Sequence, residues 1–351
     1  MPTKPVLAAA SRKGFADAGA VMRACVALIG MLVLSGCAAP YVQAPLLPPE
    51  RQMASRMDDT RFVMGDGAVL PYLHWSPREA APWAVIVALH GINDSRAAFR
   101  LAGPWWAERG IATYAYDQRG FGDAPGQGLW PGGLMADDLD QVVALVRARH
   151  PEALIAVAGE SMGGAVAITA LASEAPPAAD RLILMAPAVW GWSSQPLLYR
   201  LSLSAAAWTF GDVALEPPAW AADQVLPSDH LMELIRSGRD PDQTLSTRFD
   251  VLYGLVDLME AAGQGLGDVR VPTLFLYGAR DDLVPDRAVR QALERAGPRP
   301  GLRTAFYEDG YHLLNRDLQA VRVCADIEAW LRNEAAALPS GAGPIPVRQR
   351  G

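Results

Sequence analysis

Two runs in this chain, Ala84 to Leu89 (AVIVAL) and Leu154 to Ala158 (LIAVA), are apolar at every position. A strand that is wet on one side alternates apolar with polar residues. These runs do not alternate, so both faces must be covered, as in parallel strands with helices on either side. Further β-rich runs predict strands over 68–75, 111–116, 182–185, 273–277 and 303–307, and helical spacing of apolar residues predicts helices over 137–149 and 324–333. Such alternation specifies a doubly wound, mostly parallel α/β sheet. It lapses over residues 191–270, a stretch too long for a simple loop and rich in apolar residues, which predicts an inserted helical cap. The core is then expected in two parts, 61–190 and 271–337, followed by a disordered tail over 338–351. With 51% hydrophobic and 20% charged residues over 351 positions, the chain has the apolar mass for one large core.

The 31 basic and 38 acidic residues give a net charge of -7 with no Lys/Arg cluster able to track a phosphate backbone, which argues against nucleic-acid binding. Cysteine occurs only at 25, 37 and 324, so no disulfide framework is available. No C-x-x-C pair exists and the histidines at 74, 90, 150, 230 and 312 are scattered, so no metal site is expected.

The run LIAVA leads into Gly159-Glu160-Ser161-Met162-Gly163-Gly164 and then the helical AVAITALAS. G-x-S-x-G between a strand and a helix is the pattern of a nucleophile elbow: the Ser sits on a sharp turn with its hydroxyl exposed, and its neighbours two residues away must be nearly free of side chain. The helix after Ser161 also aims amide donors toward the hydroxyl. A serine hydroxyl needs a base, and the base needs an acid that fixes its tautomer. Downstream of the cap, TLFLY runs into Gly278-Ala279-Arg280-Asp281-Asp282, and RTAFY into Glu308-Asp309-Gly310-Tyr311-His312. Strand ends are where such sheets collect their functional groups, and the order Ser, Asp, His predicts a triad of Ser161, Asp281 and His312. The oxyanion hole is expected from the backbone N–H groups of Met162 and of Ile92, which follows His90-Gly91 at the end of AVIVAL. His150, beside Pro151 at a helix end, reads as a surface residue.

Residues 24–34 (ACVALIGMLVL) are apolar and follow Lys4, Arg12, Lys13 and Arg23. This stretch is too short to span a bilayer and reads as the core of a signal peptide over 1–36. It ends in Leu34-Ser35-Gly36-Cys37, which resembles the lipobox of bacterial lipoproteins. The resemblance implies lipidation at Cys37 and anchoring of an exported domain to a membrane; Ala38, rather than Asp, after the Cys implies the outer membrane. Residues 37–60, with prolines at 40, 45, 48 and 49, are expected to form an extended tether.

The segments LHGIND, YDQRGFGD, GESMGG, YGARDDLVP and DGYHLLNRD together resemble the α/β-hydrolase superfamily, and more narrowly the monoacylglycerol lipase and lysophospholipase-like serine hydrolases, from about Arg61 to Trp330. The resemblance implies the α/β-hydrolase fold, a cap after the sixth strand, a Ser esterase mechanism on small-molecule or lipid esters and no cofactor. It also places the acid in G-x-x-D-x-x-V-P, which favours Asp281 over Asp282, and makes Asp117 and Arg119 structural. The cap departs from the family pattern, and its tryptophans at 190, 192, 208 and 220 could line an acyl tunnel or form the cap's own core. A peptidase of prolyl-aminopeptidase type and a non-catalytic lipoprotein module are the competing functions.

Overall fold

The computed structural model describes residues 40–126, 133–216 and 225–346; the expected signal peptide, Cys37 and Trp220 lie outside them. A nine-stranded sheet forms the centre, in the order β1-β2-β3-β5-β4-β6-β7-β10-β11. Its strands are β1 (Arg56–Met57), β2 (Arg61–Val63), β3 (Val69–Trp75), β4 (Ala84–Leu89), β5 (Ile111–Tyr116), β6 (Leu154–Glu160), β7 (Arg181–Met185), β10 (Thr273–Gly278) and β11 (Leu302–Tyr307). From β5 to β11 every neighbouring pair is parallel, while β1, β2 and β3 add an antiparallel edge.

The apolar run Ala84 to Leu89 divides its side chains between two cores, as its composition requires. Val85, Val87 and Leu89 join one cluster and Ala84, Ile86 and Ala88 the other. Helices α2 (Leu134–Arg149) and α3 (Met162–Leu171) contribute to the first cluster, and α1 (Ala102–Ala107) and α8 (Ala320–Arg332) to the second. In α8, Val323, Ile327, Trp330 and Leu331 recur at the spacing of one helical face and are all buried.

The region between β7 and β10 holds α4 (Leu197–Phe210), α5 (Leu231–Ser237), α6 (Phe249–Gly265) and the two short strands β8 (Ala214–Leu215) and β9 (Thr247–Arg248). Only part of it stands apart from the sheet layers. Val256, Leu258, Met259 and Ala262 of α6 belong to the first core cluster, alongside Val289, Ala292 and Leu293 of α7 (Asp286–Ala296).

Two segments expected to be loose are docked. Within the proposed tether, the side chain of Gln43 is buried, Leu46 N–H donates to Asp66 Oδ2 at 2.9 Å, Met53 N–H donates to Gly65 O at 2.8 Å, and β1 pairs with β2. Helix there is limited to the single 3-10 turn Pro49–Arg51, and the extended backbone around it still offers donors and acceptors. The tail is held through residue 346: Leu338 and Ile345 are buried, Gly343 bridges the edge strand β11 by accepting from Phe306 N–H at 2.8 Å, and Ile345 N–H donates to Thr304 Oγ1 at 3.0 Å. A Gly/Pro-rich segment without periodicity here covers a sheet edge that would otherwise present unpaired backbone groups.

Candidate active site

The β6 strand delivers Ser161 at its carboxyl end with φ 52 and ψ -117, a left-handed conformation that a side-chain-bearing residue adopts only under constraint. The constraint is close backbone packing. A Cβ on Gly159 would lie 2.5 Å from the carbonyl carbon of Gly163, and one on Gly163 would lie 2.4 Å from Leu89 O. Neither position can carry a side chain, so β6, the elbow and the end of β4 press together and lift Ser161 out of the sheet. Met162 then opens α3, a ten-residue helix whose N-terminal amides face the serine end.

The loop after β4 runs beside the nucleophile: a Cβ on Gly91 would sit 3.4 Å from Ser161 Cβ and 3.9 Å from its Oγ. The buried His90 sets the course of this loop. Gln118 N–H donates to His90 Nε2 at 3.0 Å, so the ring proton resides on Nδ1, which donates to Gly91 O at 2.7 Å. Burial lowers the pKa of His90, in keeping with a neutral ring. With the Gly91 carbonyl held by that ring, the trans peptide turns Ile92 N–H the opposite way. Among the described residues, neither Ile92 N–H nor Met162 N–H has an acceptor. Sequence reasoning gave His90 no role; a histidine placed directly before a strand-end glycine was the available signal.

His312 Nδ1–H donates to Asp281 Oδ2 at 2.8 Å, and both residues are buried. The second oxygen of Asp281 accepts Leu283 N–H at 2.8 Å and Val284 N–H at 2.9 Å, whereas Asp282 is exposed. Burial alone would lower the pKa of His312, but the Asp281 carboxylate, through charge and hydrogen bond, and then Glu160 raise it overall. Ser161 and His312 line one cavity of about 440 Å³ with Gly91 and Ile92. Its remaining wall is largely apolar, formed by Trp190, Leu252, Leu255, Val256 and Met259 from the region between β7 and β10. Two larger cavities, of about 610 and 860 Å³, contain none of Ser161, Asp281 or His312, so size does not mark the site.

The cap tryptophans separate in role. Trp190 lines the cavity and stacks on Tyr199, while Trp192 donates to Asp257 Oδ1 at 2.5 Å and packs against Tyr253, and Trp208 is exposed. His150 is half-buried and meets Tyr114 OH at 2.9 Å, rather than standing free at the surface. Asp117 and Arg119 are engaged structurally: Arg119 bridges Asp66 and Asp138, and Asp117 pairs with Arg96. Asp117, Asp123 and Asp242 approach closely enough to suit a cation, but the Arg96 guanidinium already contacts all three. A second buried ion cluster, Arg316 with Glu160 and Asp94, lies directly beside the site and has no local sequence signature.

A mostly parallel sheet, a strained serine at the end of β6 and an Asp–His pair after β10 and β11 define an α/β-hydrolase fold. The chain belongs to the family described as serine aminopeptidase, S33, whose pattern matches residues 80–319. It is 24% identical to the monoglyceride lipase of Rattus norvegicus over 314 residues, covering 88% of this chain and 100% of that one. It is 22% identical to the monoacylglycerol lipase of Mycolicibacterium smegmatis over 293 residues, covering 80% of this chain and 98% of that one. Among solved structures, a Paleococcus ferrophilus monoacylglycerol lipase aligns with TM-score 0.62 and 18% identity, over 75% of this chain and 98% of its own. A soluble variant of monoglyceride lipase from Saccharomyces cerevisiae aligns with TM-score 0.64 and 15% identity, over 85% and 99%.

Proposed function

We propose that this protein is a serine hydrolase that cleaves carboxylic esters of lipid-like acyl chains, of the monoacylglycerol or lysophospholipid type, through an acyl-enzyme on Ser161. The observation that carries this reading is the 2.8 Å contact between His312 and Asp281, with His312 and Ser161 in one apolar-walled cavity. His312 Nε2 takes the hydroxyl proton as Ser161 Oγ attacks the ester carbonyl, and Asp281 stabilises the imidazolium. Ile92 N–H and Met162 N–H hold the oxyanion. Collapse expels the alcohol, which receives the proton from His312. Water then attacks the acyl-serine by the same route and releases the acid, restoring Ser161.

The names of the relatives support the acyl class. So does the start of α4, where Leu197, Leu198 and Leu201 are exposed beside Gln195 and Tyr199 of the cavity, a character suited to substrate presented in a lipid phase. Lipidation of Cys37 and export to a bacterial outer membrane complete the proposal; Cys37 lies outside the described residues, and the reading rests on the lipobox-like Leu34 to Cys37.

The family's description favours aminopeptidase activity as the second reading. That chemistry calls for an anionic group to receive the substrate ammonium. The carboxylates among the cavity-lining residues, Asp94 and Glu160, are already paired with Arg316, which weighs toward a neutral ester. Hydrolysis of short acyl esters, monoacylglycerols and aminoacyl amides by one preparation tests the choice. Turnover confined to aminoacyl amides would overturn the esterase reading, and failure of Ser161 to react with a serine-directed phosphonate would leave only a binding module.

A further inference from the structure

One nitrogen of Arg316 sits between two carboxylates. Its Nη2 lies 2.5 Å from Glu160 Oε1 and 2.7 Å from Asp94 Oδ2, with Arg316 and Glu160 fully buried and Asp94 nearly so. The three residues come from three separate parts of the site. Glu160 closes β6 immediately before Ser161, Asp94 follows Ile92 by two positions on the oxyanion loop, and Arg316 follows His312 by four. Replacing a buried ion cluster by apolar residues is often neutral or stabilising, so packing alone gives no reason for one here. Its placement across the site does.

We propose that Arg316 is a positioning residue: it holds the nucleophile elbow, the oxyanion loop and the histidine loop in register, and together with Glu160 it sets the basicity of His312. This inference rests on the serine-hydrolase reading above and deepens it. Burial raises the pKa of Glu160, and the always-charged guanidinium beside it opposes that rise. The charged groups facing His312 are Asp281 from the loop after β10, Glu160 from β6 and Arg316 from its own loop. Behind them, His90 faces Asp94 and Arg316, and Asp317, whose pKa burial lifts to about 7, faces Glu160. The cap contributes Gln195, Tyr199, Gln243 and Thr244 to the cavity and no charged side chain, and behind it His230 Nδ1 lies 3.1 Å from Arg316 O. Glu160 favours the imidazolium, whereas Arg316 opposes it directly and also lowers the pKa of Glu160, so only the removal of Glu160 has a sign fixed in advance.

The test is kcat/KM on a soluble short-chain ester across the histidine titration range, in wild type, Glu160→Gln, Arg316→Met and Arg316→Lys. Glu160→Gln moves the acid limb to lower pH by about half a unit or more. Arg316→Lys keeps the charge and leaves the limb within about a few tenths of wild type. Lost register lowers kcat in Arg316→Met by about ten- to a hundredfold with little change in KM. A merely structural defect in Glu160→Gln would lower kcat and leave its limb in place. A Glu160→Gln limb that coincides with wild type or moves to higher pH, or an unchanged kcat in Arg316→Met, overturns the proposal. Glu160→Gln keeps the shape and one acceptor of the carboxylate, so it decides alone if Arg316→Met does not fold. Phosphonate labelling of wild-type Ser161 is measured first: its absence overturns the hydrolase reading and this inference with it, whereas labelling with unmoved limbs overturns only this inference.

Discussion

His312 Nδ1 is 2.8 Å from Asp281 Oδ2, while Asp282, one residue further on, is exposed. The turn decides between them. Leu283 and Val284 donate their amides to Asp281 Oδ1, which turns that carboxylate inward and leaves its other oxygen for the imidazole. Asp281→Asn should therefore lower kcat by about 10⁴-fold, because an amide cannot hold the required tautomer. Asp282→Asn should leave kcat unchanged within about twofold, as expected for an exposed side chain away from the reacting groups. Steady-state kinetics on a soluble ester checks both, and equal losses would remove Asp281 from the triad.

Ser161→Ala should reduce kcat by about 10⁴- to 10⁶-fold without unfolding, and His312→Ala by nearly as much. Because the two groups act as one unit, the double variant should be no slower than the worse single variant. Losses that multiply would argue that the pair is not coupled. The thermal midpoint, read in the same preparations, separates lost chemistry from lost fold.

The raised pKa of His312 gives a signed pH dependence. As a general base His312 must be neutral, so activity falls as pH drops through its pKa. The acid limb of kcat/KM, which reports the free enzyme, should lie above the ordinary histidine value of 6.5. Its stability contribution runs the other way: it is fully present below 6.5 and is lost as pH rises through the folded value. A limb below 6.5 would contradict the environment described for His312.

Ile345 is buried against a sheet edge in a segment whose composition reads as a tail. Ile345→Ala should cost about 1–3 kcal/mol, which for a domain of this size lowers the thermal midpoint by several degrees, while KM on short esters stays unchanged. Calorimetry decides it. An unshifted midpoint would mean that residues 338–346 add nothing to stability.

Cys37→Ser should release the protein from the membrane fraction while leaving kcat on soluble short esters intact, because acyl chains at about 0.8 kcal/mol per buried methylene supply the affinity. Turnover of membrane-presented esters should fall. Fractionation with intact-mass analysis of the wild type is the measurement, and an unmodified Cys37 removes the lipoprotein proposal.

Local chemistry determined a large share of this protein. The two-faced apolar runs at 84–89 and 154–158 can be satisfied only inside a covered parallel sheet, and the glycines at 159 and 163 permit a serine turn that no other residue would allow. Both depend on spacing within a few residues, which the sequence carries directly. What only the tertiary structure decided depends on residues far apart in the chain. Arg316 meets Glu160 across 156 positions, and nothing near either residue announces the partner. Pro- and Gly-rich segments at 40–60 and 338–346 look like spacers because they lack periodicity, yet they dock through isolated anchors such as Gln43 and Ile345 and through backbone hydrogen bonds. The region 191–270 reads as one inserted unit, but half of α6 belongs to the core, because the surface it covers is built by α3 and α7 and exists only once they have folded.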